Sequence, residues 1–559
     1  MSRPPAPATG APPSIGGAGD PDRAVAGRPA RPSPERRPRD SAVGPVLLRR
    51  RGVRAALVVV GGLLAAASLP PFGFWPLGPI GLAVWFLASE NQRSRGRLLL
   101  GWLFALGQLG PSLAWATDFT KIGYVVLVPV EAIPFALAGL LVPARSGRSL
   151  AFPAAVTLAE AARDRFPFGG LPIGSMVLGQ VGGPLLPAAR LVGGLGLLAL
   201  AALAGVGLAH LARSGGRAWQ RRAGHLASPP ARPALGTLGA GVTALALVVG
   251  FAVGGRFAPA GGRPIGSVPV AGVQGGGPRG LRAVLGGQVG VFSRHLRLTE
   301  TIHPGPSLVL WPEDVVALSG PLAGSPKAAA LAAQALRLHA TVLAGVTEPV
   351  GSTRFLNEVV AWSPSGRIIG RYEKVHRVPF GEYVPDRAFF SHLVSLADVP
   401  RDAIPGHGPG FLRTPAGPLG IMISYEVFFS SRSRPAVAAG AEVLLVPTNT
   451  ASYTTSQIPT QELAASRLRA VEEGRNLVQV SPTGFSAFVS PSGTVSQRSN
   501  LGKPALIEAT VPLRRGETIF QRLGPHPWLA LLGLLLVLGW VLGAVADATA
   551  APGTPAETS

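Results

Sequence analysis

Residues 371–385 read RYEKVHRVPFGEYVP, and this stretch decides how the rest of the chain is to be read. Lys374 and Glu382 stand in it among apolar neighbours, with Glu382 held between Gly381 and the turn Tyr383, Val384, Pro385. A lysine just beyond a strand, followed by prolines that fix the backbone, suits a preorganised cation that stabilises an oxyanion or carries a proton. Two possible partners sit in equivalent places. Glu313 follows the apolar run from Leu308 to Pro312, and Ser424 ends the run from Gly420 to Ile423. All three lie where strands give way to polar loops, the usual place for chemistry in α/β folds. In acyl transfer a carboxylate can act as base, a lysine can steady the tetrahedral oxyanion and a hydroxyl can attack. Taken singly, each is more readily a capping or surface residue; the shared strand-end context singles them out.

Working outward, strand-like runs at 267–273, 308–311, 341–346, 358–362, 419–423, 443–446, 477–480 and 486–489 alternate with helix-like runs at 327–339 and 461–473. The turns Ser363 to Gly366 and Ser490 to Gly493 each join two strands as a hairpin. A mixed α and β domain over residues 264–515 is expected, large enough for its own core. Within the 461–473 run, Arg467, Arg469, Glu472 and Glu473 have the spacing of i,i+3 and i,i+4 ion pairs. His303, His376 and His407 lack metal-ligand spacing and read as loop or solvent-facing positions, so neither metal nor cofactor is expected.

The flanks have another composition. Overall the chain is 47% hydrophobic and only 14% charged, which points to membrane insertion. The formal charge of +23 does not point to nucleic acid, because arginine is spread through the N-terminal tail and short connectors rather than along one face. There is no cysteine, which excludes disulfides, thiolate metal sites and a thiol nucleophile. Residues 1–44, rich in Pro, Arg and Gly, are expected to be a disordered cytoplasmic tail, and the first span doubles as the insertion signal. Apolar runs at about 55–70, 76–89, 97–116, 122–143, 149–165, 187–212 and 234–254 give roughly seven spans in a membrane domain over 45–255, with another at 527–546 and a cytoplasmic tail at 547–559. Arginine clusters at Arg49 to Arg54, Arg93 to Arg97, Arg145 and Arg148, and Arg213 to Arg222 place the N-terminus and alternate connectors in the cytoplasm. Residues 264–515 then face the outside of a multi-pass cell-membrane protein.

Trp311-Pro312-Glu313, Tyr372-Glu373-Lys374 leading into the 378–385 block, and Ser424-Tyr425-Glu426 resemble, in order and spacing, the signature blocks of the nitrilase (carbon-nitrogen hydrolase) superfamily. With the spans, the resemblance is to its membrane branch, the apolipoprotein N-acyltransferases; PPFGFWP at 70–76 and FPFGG at 166–170 are similar to motifs of that branch. The resemblance covers roughly residues 55–546. It implies an α-β-β-α sandwich attached to a polytopic helical membrane domain. It also implies a ping-pong reaction in which a phospholipid acyl chain passes through the enzyme to the α-amine of a diacylglyceryl lipoprotein. Glu313 would be the general base, Lys374 the oxyanion stabiliser and Ser424 the nucleophile; Glu382 and Glu426 would orient Lys374 and the loop after the nucleophile, and Tyr425 would shape that elbow. The family's nucleophile is cysteine, where this chain has Ser424. Thr450 and Ser452 stand where many relatives carry an acidic residue and a tryptophan. The alternative reading is a silent paralogue that binds lipid, lipoprotein or a partner membrane enzyme; amide hydrolysis would differ only in the acceptor.

Overall fold

Apolar runs long enough to lie in a bilayer become helices because, with no water there to bond, a lone segment satisfies its backbone hydrogen bonds within itself only when helical. In the computed structural model, which describes residues 51–222, 233–280, 290–392 and 399–550, each run read as a span carries one. The helices are Arg51–Ala67, Leu77–Ala88, Ser94–Ser112, Lys121–Glu131 continuing as Ile133–Leu141, Arg148–Arg163, Ala189–Arg222 with a kink at Gly193, Pro233–Phe257 and His526–Ala550. Among the described residues, four stretches are long and apolar enough to cross a membrane: Lys121–Leu141, Leu186–Trp219, Gly236–Phe257 and His526–Thr549. The tail at 1–44 and residues 551–559 lie outside the described residues; the last helix runs on to Ala550, into the stretch read as a tail. Close packing of the first and third helices depends on a missing side chain, since a Cβ on Gly62 would stand 2.1 Å from the Phe104 carbonyl oxygen. Beside this contact Trp85 stacks on Phe104 at 4.7 Å and meets Phe152 edge-on at 5.1 Å.

Among the described residues the chain then forms fourteen strands: β1 Gly266–Gln274, β2 Leu308–Leu310, β3 Val316–Ala317, β4 Thr341–Val350, β5 Arg354–Trp362, β6 Ile368–Glu373, β7 Asp402–Ala403, β8 Phe411–Thr414, β9 Gly417–Ile421, β10 Val443–Pro447, β11 Leu477–Val480, β12 Ala487–Val489, β13 Val495–Ser496 and β14 Ala505–Leu513. One sheet has eight strands in the order β14-β1-β2-β4-β5-β6, with β3 beside β4 and β7 beside β5; the other has six, β13-β12-β11-β10-β9-β8. Both expected hairpin turns are present, joining β5 to β6 and β12 to β13. The central strands are parallel and covered on both faces, which explains why Leu308–Leu310 and Val443–Pro447 are apolar without alternation.

Between the sheets Val270, Leu310, Leu343 and Val359 meet Ile421, Leu445 and Val480. The outer face of the first sheet packs Trp311, Val342 and Trp362 against Leu331, Ala335 and Leu338 of the helix Pro326–Leu338. On the outer face of the second, the core of Leu444, Val446 and Leu477 takes in Ala464, Leu468 and Val471 of the helix Gln457–Glu473 and runs on into the membrane helices, reaching Val192 and Leu197. That helix is accordingly buried over most of its length. Arg469 pairs with Glu472 at 2.9 Å as the spacing predicts, but both are buried, and Glu473 turns to the Ser433 hydroxyl at 2.8 Å. Reading these as ordinary helix-face pairs misses the layer stacked on top of them.

Candidate active site

The ends of β2, β5, β6, β9 and β10 supply the site. Glu313 lies just beyond β2, and the adjacent β4 must let its backbone approach: a Cβ on Gly345 would fall 2.4 Å from the Pro312 carbonyl oxygen and 2.5 Å from Glu313 Cα. Glycine is therefore needed at 345 for Glu313 to sit where it does. Lys374 follows β6 and is fully buried. Its Nζ donates to Glu313 Oε1 at 2.7 Å and to Glu382 Oε1 at 2.6 Å. Asn357 Nδ2 on β5 donates to the same two oxygens at 2.9 and 3.0 Å, so lysine and asparagine together tie the two carboxylates. Glu382 is itself fixed by the Val378 N–H at 2.8 Å, the backbone contact that the tight 378–385 loop provides.

Burial alone would disfavour the ammonium of Lys374. The paired carboxylates outweigh it and hold the group well above the usual lysine range, so it is a permanent cation. Burial pushes the Glu382 carboxyl upward against the opposing pull of Lys374. Asp314, in the left-handed region at φ 59 and bonded by Thr347 Oγ1 at 2.7 Å, is pushed up to about 7 by burial and by the neighbouring Glu313 and Glu382.

Ser424 stands on a sharp elbow where β9 runs into a short 3-10 turn. Its φ of 49 is in the left-handed region, a strain of about 1–2 kcal/mol for a residue with a Cβ. Glu426 holds the elbow. This buried carboxylate accepts from Ile423 N at 2.9 Å on the elbow side, and from Val375 N at 2.8 Å, His376 N at 3.1 Å and the Tyr372 hydroxyl at 2.9 Å on the lysine side. It thus joins the two loops that carry Ser424 and Lys374. Tyr425 donates its hydroxyl to Gly170 O at 2.7 Å, tying the elbow to the FPFGG loop of the membrane part. His376, read as a loop or solvent-facing residue, is half-buried and stacks on Phe429 at 4.3 Å.

Ser424 Oγ meets Thr448 Oγ1 at 3.1 Å and Glu462 Oε1 at 3.5 Å. Glu462 in turn lies within electrostatic reach of Glu313 and Lys374, which places the serine and lysine groups in one cluster. Asn357, Thr448 and Glu462 have no part in the sequence reading. For Asn357 a signal exists: it lies in register with Val359 and Ala361 on the β5 face that looks between the sheets, a polar residue in an apolar alternation. Glu462 has none, since it is one of several charged residues on its helix.

Two family patterns match the chain. Residues 61–207 match the apolipoprotein N-acyltransferase N-terminal domain, and residues 299–519 match carbon-nitrogen hydrolase. An apolipoprotein N-acyltransferase of Mycolicibacterium smegmatis is 33% identical over 494 residues, covering 83% of this chain and 81% of its own. One from Geobacter metallireducens is 28% identical over 504 residues, covering 86% and 94%. Among solved structures, an amidase from Nesterenkonia sp. superposes with a TM-score of 0.33 at 22% identity, over 45% of this chain and 94% of its own.

Proposed function

Because the chain belongs to the apolipoprotein N-acyltransferase family, we propose that it transfers an acyl chain from a phospholipid to the α-amine of a diacylglyceryl lipoprotein through an acyl-serine enzyme. The chain is an acyltransferase and a membrane protein. The observation that carries the reading of the site is Lys374, a buried cation fixed between Glu313 and Glu382 in the same cluster as the strained elbow of Ser424. In the first half-reaction Ser424 Oγ attacks the phospholipid ester carbonyl, and the charge that develops on its oxygen falls to the Lys374 ammonium. Collapse expels the lysophospholipid and leaves an oxygen ester on Ser424. In the second half the lipoprotein amine attacks that ester, with Glu313 as general base, and Ser424 is regenerated. Glu382 and Asn357 keep Lys374 and Glu313 aligned, and Glu426 keeps the two loops together.

A silent, binding-only scaffold is not favoured. Buried charges are costly even when paired, and apolar residues of similar volume would serve packing as well, yet here Lys374 is held within hydrogen-bonding distance of both Glu313 and Glu382. The decisive experiment supplies a phospholipid with an isotopically labelled acyl chain to membranes in which this protein is the sole acyltransferase. Mass spectrometry of the N-terminal peptide of a reporter lipoprotein should show one labelled acyl chain on the α-amine. A peptide whose amine stays free overturns the acyltransferase reading, and an unlabelled acyl chain overturns the donor.

We further propose that seven spans precede the catalytic domain and that this domain lies on the extracytoplasmic face, on the strength of the arginine-rich connectors. The chain's lack of cysteine makes the test direct. Thr353→Cys, on the exposed turn between β4 and β5, should react with a membrane-impermeant maleimide in intact spheroplasts. Labelling only after lysis would invert the proposed orientation.

A further inference from the structure

Unlike a thiol, an alcohol is almost never ionised near neutral pH and attacks only with a base in line to take its proton. Among the described residues Ser424 Oγ has hydrogen-bond contacts with two side chains, Thr448 and Glu462, and with neither Glu313 nor Lys374. Thr448 Oγ1 also makes a close contact with Glu462 Oε1. A threonine hydroxyl has one proton to give. At rest the Thr448 hydroxyl donates towards Ser424 Oγ and Glu462 Oε1, and Ser424 Oγ donates towards Glu462 Oε1. Turning the Thr448 hydroxyl wholly onto Glu462 leaves its oxygen as an acceptor for the proton of Ser424, and the three oxygens then form a relay. The other Glu462 oxygen, Oε2, is buried with no partner among the described residues. Glu313 is engaged differently: Lys374 and Asn357 both donate to its Oε1.

We propose that Glu462 is the base that activates Ser424, with the Thr448 hydroxyl carrying the proton between them, and that Glu313 serves the incoming amine instead. This rests on the reading of Ser424 as nucleophile. As the bond from Oγ to the ester carbon forms, the Ser424 proton moves to Thr448 and the Thr448 proton to Glu462, while the carbonyl electron pair moves onto oxygen. When the tetrahedral adduct collapses, the bond to the lysophospholipid oxygen breaks and that oxygen takes the proton back from Glu462. Nothing is left over, and no further reactant is needed.

The electrostatics give the relay a pH signature. Burial, reinforced by Glu313, raises the Glu462 carboxyl to about 8, against the opposing effects of Thr448, Lys374 and Ser424; Tyr453, from the loop after β10, also senses this group. A base works only when deprotonated, and Glu462 is mostly protonated below its raised value. Acyl-enzyme formation should therefore speed up as pH rises through about 8.

The test follows lysophospholipid release in the first turnover of the full-length protein, using a fluorescent phospholipid, with the acylated peptide identified by mass spectrometry. Glu462→Gln should slow this step by about 100-fold or more and remove its alkaline rise. Thr448→Val, close in shape and expected to fold, should slow it by about tenfold or more. In a Ser424→Cys background, where the nucleophile ionises more readily, Glu462→Gln should cost less than about tenfold. Equal losses in the serine and cysteine backgrounds, an alkaline rise that survives Glu462→Gln, or an unaffected Thr448→Val would each overturn the relay. If wild type forms no adduct on Ser424 at all, the underlying assignment of the nucleophile has failed and the relay falls with it, an outcome distinct from the others.

Discussion

Lys374→Met is expected to lower kcat/KM for acyl transfer by at least about 10³-fold, the scale of losing a preorganised charge aimed at an oxyanion. The same change should destabilise the fold. The lysine is enclosed, and its Nζ lies 2.7 Å from Glu313 and 2.6 Å from Glu382, so methionine leaves two carboxylates facing each other in a dry pocket. Breaking a buried pair from one side costs about 3–5 kcal/mol. The damage has a sign in pH. Burial already pushes the Glu382 carboxyl up against the pull of Lys374; without the cation it binds its proton more tightly in the folded than in the unfolded chain, so the variant gains stability as pH falls and loses it as pH rises through the folded-state value of Glu382. Thermal unfolding in detergent, scanned from pH 8 to pH 5, measures this directly. Adding Glu313→Gln and Glu382→Gln to Lys374→Met separates the two effects: stability should return in large part and activity should not. Recovery of transfer in the triple variant would show that Lys374 has only a packing role.

Ser424 is the second position at which a single atom decides the outcome. Ser424→Ala should end acyl transfer altogether while leaving the fold untouched, because alanine keeps the Cβ and the same strained φ of 49. Ser424→Cys should instead accelerate acyl-enzyme formation by about tenfold or more, since a thiol with a pKa near 8.5 holds a few per cent of thiolate near neutrality. It should also speed the second half, because a thioester yields to an amine more readily than an oxygen ester does. Ser424→Gly should be inactive yet more stable than wild type by about 1–2 kcal/mol, as glycine adopts the left-handed region without a Cβ clash. Transfer by Ser424→Ala at the wild-type rate would remove the serine from the mechanism.

Sequence alone reveals the strand ends that carry Glu313 and Ser424 because strands buried on both faces are unbroken apolar runs, and such runs end visibly; Lys374 follows β6, an antiparallel edge strand, and stands out through the 371–385 stretch instead. The pairing of Lys374 with two carboxylates is less visible. It depends on Asn357, whose significance appears only once β5 is given a face. Glu462 and Thr448 are not legible at all, since a helix residue and the residue after β10 are brought together by sheet topology and not by spacing. The charged residues of Gln457–Glu473 mislead for a related reason: periodicity reports what a helix could pair within itself, and cannot report a second layer packed on its other side. The membrane helices lie where hydropathy puts them, but several, such as Leu77–Ala88 and Arg148–Arg163, are shorter than a full crossing.

The double-sided burial of Gln457–Glu473 also bears on how the protein is put together. One face of the helix belongs to the second sheet, while its ends reach the membrane part: Gln461 accepts from Gly174 N at 2.8 Å and Glu472 from Gly194 N at 2.5 Å. A ribosome exposes residues 174 and 194 long before it reaches 457. The hydrolase-like half is therefore finished on a surface that its own upstream sequence has already laid down. If Ser424 is the nucleophile proposed above, such an order of assembly leaves its elbow unfinished until the upstream helices are in place.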